Sequence, residues 1–180
     1  MNAALDAFLT HRHYQAQVIE WWGRSQLRAR SYLCDALPPL DLVTSARALL
    51  FSGTQTLVVR NLDEHHILPG GRRQSGETVE QTVRREVLEE TGWEIGTLHY
   101  LGIVHYHHLR PQPPHFPYPY PDFVHVIFWA RPWRQLVGSR LEDGYELEAS
   151  MEPVEELDRF SLSQTQLVFL RAAQQSFRAM

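Results

Sequence analysis

The run from Thr78 to Gly92 constrains this chain most, because it is a complete helix with its own start and stop signals. Thr78 with Gln81 three residues on makes a capping-box pattern, which satisfies orphan amides at a helix start. Neither Pro nor Gly interrupts Thr78 to Thr91, and Gly92 stands where helices commonly end in left-handed backbone. Val79, Val83 and Val87 recur every fourth residue and form one apolar stripe.

The charges on this helix are placed against the simple expectation. At about 100° per residue, with Val79 at zero, the valines span roughly 0° to 80°, and Glu90, Glu86 and Glu89 fall near 20°, −20° and −80°. A solvated outer face would put its carboxylates opposite the valines; here Glu90 points into the stripe and Glu86 borders it. Two carboxylates ~6 Å apart repel by roughly 2–3 kcal/mol at an effective dielectric of about 20. Arg85 can pair with Glu89 at i+4, but one arginine does not neutralise three acids. A hard divalent cation would, and Gly70-Gly71 just upstream supplies the kind of loop that lies beside phosphates.

The spacing G-x5-E-x7-R-E-U-x-E-E-x-G-U, with U aliphatic, resembles the box of the Nudix (MutT-like) family. It is met by Gly71, Glu77, Arg85, Glu86, Val87, Glu89, Glu90 and Gly92, with Trp93 in place of the usual final aliphatic residue. Detailed agreement runs from about Leu68 to Trp93. The resemblance implies an α/β fold, a Nudix-type α/β/α sandwich with a mixed β-sheet between helices. It also implies a hydrolase domain over 41–180, preceded by an N-terminal extension over 1–40.

The same resemblance implies the chemistry. A magnesium ion, with manganese as substitute, would be held by Glu86, Glu89, Glu90 and the Gly71 carbonyl. Arg85 would orient the glutamates and Glu77 would brace Arg85 as structural support. Catalysis would rest on Glu86, Glu89 and Arg85 and would cleave the pyrophosphate linkage of a nucleoside diphosphate derivative by water attack on phosphorus. Glu86 is the first candidate for general base, with Glu146 and Glu148 as alternatives that could equally be a solvated acidic loop. The competing reading is a non-catalytic Nudix-fold module that binds and senses nucleotides.

Other residues offer softer contacts. Arg72 and Arg73 follow the glycines, where cations could meet phosphates or simply face solvent. His105 and His107 share one strand face, but hard oxygen chemistry has no need of them, so polar lining or plain surface is expected. Residues 111–121 alternate Phe116, Tyr118 and Tyr120 with prolines: either a lid that stacks on a base or a loop packed on its own domain.

Composition excludes several partners. Net charge is −4, so no groove for duplex nucleic acid is expected; the resemblance implies a nucleotide-type small molecule as the partner. No segment reaches transmembrane length, Met1–Tyr14 lacks a signal-peptide pattern, and Cys34 stands alone as a small buried residue. A cytoplasmic protein is expected. The Trp21-Trp22 pair and the N-terminal helix could build a homodimer contact or pack in the core.

The remaining pattern predicts an amphipathic helix over about Ala3 to Glu20 and a strand over Gln26–Leu33. It predicts a hairpin of Thr44–Phe51 with Thr56–Arg60 across Ser52-Gly53, and a short strand at Ile67-Leu68. Strands then follow at Thr97–His107, Phe123–Ala130 and Met151–Val154. Ser163 with Gln166 opens a C-terminal helix whose apolar face carries Leu167, Leu170 and Phe177.

Overall fold

The structure, a computed structural model, describes residues 2–136, 138 and 146–180. Its elements in chain order are α1 Ala3–Leu9, β1 Ala16–Trp22, β2 Ser25–Leu33, β3 Val43–Leu50, β4 Gln55–Asn61, β5 His65–His66, β6 Gly70–Arg72 and α2 Val79–Thr91. They continue with β7 Trp93–Ile95, β8 His99–His108, β9 Asp122–Ala130, β10 Pro132–Gln135, β11 Glu146–Pro153 and α3 Gln164–Arg178. A six-stranded sheet in the order β1-β2-β8-β9-β3-β6 forms the centre. It is mixed: β3 runs parallel to β9, and the other pairs are antiparallel.

Strand β3 shows why both faces of this sheet are covered. Ala46, Ala48 and Leu50 face one way and pack with Val79, Val83 and Val87 of α2 and Leu5 of α1. Leu49, and Phe51 just beyond the strand, face the other way and pack with Phe169, Leu170 and Ala173 of α3. Strand β3 is buried at every position but Arg47, with Thr44 and Ser45 among its buried residues, and each fully buried Val, Leu or Phe contributes roughly 1.5–3 kcal/mol. The expected sandwich, a mixed sheet between helices, is therefore the observed one. Helix α2 has the capping box read from the sequence, and Gly92 closes it with φ 74°. Trp93 takes the aliphatic residue's place in β7 and packs against the core.

Several expectations are corrected. The N-terminal helix stops at Leu9, and residues 16–22 are a strand; Val18 and Glu20 are half-buried on one face, Gln17, Ile19 and Trp21 are exposed on the other, and Trp22 is exposed at the strand's end. The segments at 43–50 and 55–61 are not a hairpin ladder. A single bridge, Phe51 to Thr56, joins them before β4 leaves for a separate three-stranded sheet, β11-β4-β5. Ile67 and Leu68 lie outside strands, and the glycines themselves form β6. The late strand begins earlier than expected, so Glu146 and Glu148 belong to β11 and not to a loop before it. Phe169 and Ala173 join Leu170 in the buried face of α3, and Leu167 and Phe177 are only half-buried.

Candidate active site

Edge strand β6 runs beside α2, and each of its residues meets a charged side chain of the helix. The Gly70 N–H donates to Glu90 Oε2 at 2.8 Å. Gly71 presents its bare Cα to Glu86: a Cβ there would stand 2.5 Å from Oε2. Arg85 Nη2 donates to the Arg72 carbonyl at 3.1 Å. The glycines thus let the strand approach the helix closely enough for its backbone to engage carboxylates.

Arg85 is the hub. Its Nε and Nη2 donate to the two oxygens of Glu77 at 2.6 and 3.0 Å, and Nη1 donates to Glu86 Oε1 at 2.8 Å and to Glu89 Oε2 at 3.0 Å. A planar guanidinium can grip one carboxylate through two nitrogens while serving two more; an ammonium, with three donors on one atom, cannot. The Arg85 bonds, with the Gln74 amide and the Thr82 hydroxyl, lower the Glu77 pKa to about 2. Glu77 foremost, with Glu86 and Glu89, holds the Arg85 pKa above its already high value.

The donor set suits a hard cation. Glu86 and Glu89 bond to one nitrogen, Glu90 lies a helical turn beyond Glu86, and the notch left by the missing Gly71 side chain holds a carboxylate. With Arg85 and the Gly70 amide as their partners, the acids do not converge on one point. Among the described residues no three acidic, imidazole or thiol groups do.

Glu90 also lines a cleft of about 960 Å³. Its floor is β8 and β9, through Val104, Tyr106, His125 and Ile127, and one wall is the Val18–Glu20–Trp22 face of β1. Arg47 of β3, the turn Asn61–Glu64 and the start of α3 complete it. Trp22 stacks over His125, with ring centroids 5.8 Å apart, and leans on Tyr106 at 4.9 Å. Burial keeps His125 neutral, well below its usual pKa. The sequence reading missed this wall. The alternation of Val18, Glu20 and Trp22 was the available signal, hidden because each face of β1 mixes one polar residue with apolar ones, so no polar–apolar alternation stands out.

The softer candidates fall elsewhere. Arg72 Nε donates to the Tyr118 hydroxyl at 2.9 Å with its guanidinium over that ring, and Arg73 Nη2 donates to the Leu40 carbonyl at 3.0 Å. Both arginines line a second hollow of about 500 Å³ beside Glu77. Glu148 is exposed, pairs with Arg60 at 3.5 Å and lines a separate small hollow. The Glu146 backbone pairs with Asn61, and its side chain lies outside the described residues.

Neither His105 nor His107 lines the cleft; His105 is buried and His107 half-buried. His105 Nε2 and His107 Nδ1 both bond, at 2.8 Å, to Oδ1 of buried Asp122, a partner the sequence reading overlooked. In the Pro/aromatic loop, Tyr118 stacks on Phe123 and Phe116 meets His108, so these rings pack on their own domain. Cys34 is half-buried, not buried.

Comparison with known proteins adds sequence and fold relationships. The family model described as NUDIX domain matches residues 41–173. A stretch of 33 residues is 58% identical to the oxidized purine nucleoside triphosphate hydrolase of Danio rerio, covering 18% of this chain and 21% of that protein. The chain therefore matches about a fifth of that relative's length. The Bacillus subtilis pyrophosphohydrolase BsRppH superposes with a TM-score of 0.59 at 20% identity, over 92% of this chain and 98% of that one. The NUDIX domain of Shewanella oneidensis NrtR, solved with ADP ribose, gives 0.56 at 18% identity, over 75% and 88%.

Proposed function

Since the chain belongs to the Nudix family, we propose that it is a magnesium-dependent hydrolase of the pyrophosphate linkage in a nucleoside diphosphate derivative. The observation that carries this reading is the Arg85 hub, which joins Glu77, Glu86 and Glu89 while β6 glycines seat Glu86 and Glu90.

Magnesium, with manganese as substitute, would be held by Glu86, Glu89, Glu90 and the Gly71 carbonyl, and would supply neutralisation of the phosphate oxygens and a more acidic water. The chain's own residues do the rest. Arg85 fixes the rotamers of Glu86 and Glu89, and Glu77 fixes Arg85. The Gly70 amide aims Glu90 toward the cleft. Glu86, seated against Gly71, accepts the proton of the attacking water. Glu148, tied to Arg60 in a hollow of its own, is less suited to that role. Arg47 on the cleft wall and Arg72 and Arg73 beside Glu77 are the cations available to phosphate oxygens.

Residues 41–180 act as the hydrolase domain, and 1–40 as an extension that contributes two strands and one wall of the cleft. Among the described residues no helix is long and apolar enough to cross a membrane; with a single half-buried thiol we place the protein in the cytoplasm. Trp21, 56% exposed, is the natural centre of a homodimer contact.

The test is release of a mononucleotide from a panel of dinucleotides, nucleotide sugars and nucleoside di- and triphosphates, with and without magnesium. Magnesium-dependent release supports the reading. Tight binding without turnover would instead make the chain a nucleotide sensor.

A further inference from the structure

The wall that β1 gives to the cleft lies before residue 41, outside the span that matches the family model. Its chemistry is particular. The Trp22 indole is 38% exposed and stands on His125 and Tyr106, so it can offer an aromatic face to the cleft. Trp22 Nε1 donates to Glu20 Oε2 at 3.0 Å, which fixes a carboxylate beside the indole.

Asp63 and Glu64 line the same cleft; burial foremost, with the Glu64 charge adding to it, pushes the Glu20 pKa up from its ordinary value. Asn61 Oδ1 accepts from the Asp63 and Glu64 amides at 2.9 and 2.8 Å, which holds that acidic turn in place. On the floor His125 is only 4% exposed, and among the described residues no hydrogen bond reaches its ring. The imidazole lines the cleft, where a ligand can supply a hydrogen-bond partner.

A flat ring that settles here meets carboxylates, which only accept hydrogen bonds. An exocyclic amine satisfies them. Adenine carries that amine at C6, cytosine at C4 and guanine at C2, whereas uracil and thymine carry only carbonyls outside the ring and offer a single N3–H flanked by two oxygens that face the carboxylates. We propose that Glu20 and Trp22 of β1, with His125 beneath, form a base-recognition subsite for rings bearing an exocyclic amine. This chain accordingly accepts adenine, guanine and cytosine nucleotides and rejects uracil and thymine nucleotides. The proposal rests on the reading of this cleft as the nucleotide site, and it assigns specificity to the N-terminal hairpin.

The test separates it from the hydrolase reading by omitting metal. AMP, GMP, CMP, UMP and TMP are titrated in EDTA into the full chain, with tryptophan fluorescence and calorimetry as readouts. The amine-bearing nucleotides should bind at least about tenfold more tightly than UMP and TMP, as expected when a buried acceptor gains or loses its donor. Glu20→Gln, whose amide also donates, should shrink that preference to about threefold or less. Trp22→Ala should weaken all of them, with circular dichroism to confirm folding; Trp22→Phe, which keeps a ring but loses the bond to Glu20, should keep binding and lose selectivity. Equal affinity for all five, no saturable binding of any, or an unchanged preference in Glu20→Gln overturns the subsite. Hydrolysis without base preference removes the subsite and leaves the hydrolase; selective binding without hydrolysis does the reverse.

Discussion

Glu86 and Gly71 fit one another as side chain and notch: the carboxylate fills the space in which a Cβ on residue 71 would stand, 2.5 Å from Oε2. Gly71→Ala should therefore push Glu86 out of place. Because a misplacement of about 1 Å can cost on the order of 100-fold, kcat should fall at least about tenfold. The loss of stability should stay within roughly 1–3 kcal/mol, as for other overpacked sites. Steady-state kinetics and thermal melts on the same preparation check both.

Arg85→Lys keeps the charge and removes the fork. A lysine cannot bond Glu77 through two nitrogens while also holding Glu86 and Glu89. Activity should drop by about tenfold or more, and added guanidinium should restore part of it. Wild-type activity in Arg85→Lys would show that only the charge at this position matters.

The Glu77 pairing also has a pH signature. Its pKa is lowered to about 2 by the Arg85 bonds foremost. The contribution to stability is complete above the unfolded carboxylate value near 4.5 and is lost as pH falls through about 2. Carbon-detected NMR titration of the Glu77 carboxyl should show it ionised at pH 3 in the native chain and shifted back toward the ordinary range in Arg85→Ala.

Tyr118 packs on Phe123 and holds Arg72. Tyr118→Ala should lower stability by about 1–3 kcal/mol and leave the KM for nucleotides within about twofold. A large rise in KM with unchanged melting temperature would restore the lid that the Pro/aromatic pattern suggested.

How much was legible in the sequence follows from how local each signal is. Helix α2 carries its cap, stripe and stop within itself, so both the helix and the inward turn of Glu90 could be read. Strand β1 could not. The helical spacing of Leu5, Phe8 and Leu9 is real, and Ala16 and Ile19 fell into register with it although Thr10 already closes α1. What makes 16–22 a strand is pairing with β2, which in turn pairs with β8, seventy-odd residues on. The cleft wall inherits that non-locality: Glu20 and Trp22 meet His125 only after the sheet has formed. Asp122 was missed similarly, since its role lies in two histidines on the neighbouring strand. The strand beyond Ser52-Gly53 looked like a hairpin arm because turn chemistry specifies a reversal, not which sheet the chain joins next.

The central claim is that the acids of α2 bind a divalent cation for work on a phosphoanhydride. Titration calorimetry of magnesium into the protein, alone and with a non-hydrolysable diphosphate nucleotide, tests it most directly, with Glu89→Gln and Glu90→Gln run alongside. The account predicts saturable cation uptake by the native chain, at least about tenfold weaker in either variant, with melting temperatures unchanged and hydrolysis reduced by about two orders of magnitude. Absence of saturable uptake by the native chain, with and without nucleotide, would contradict it.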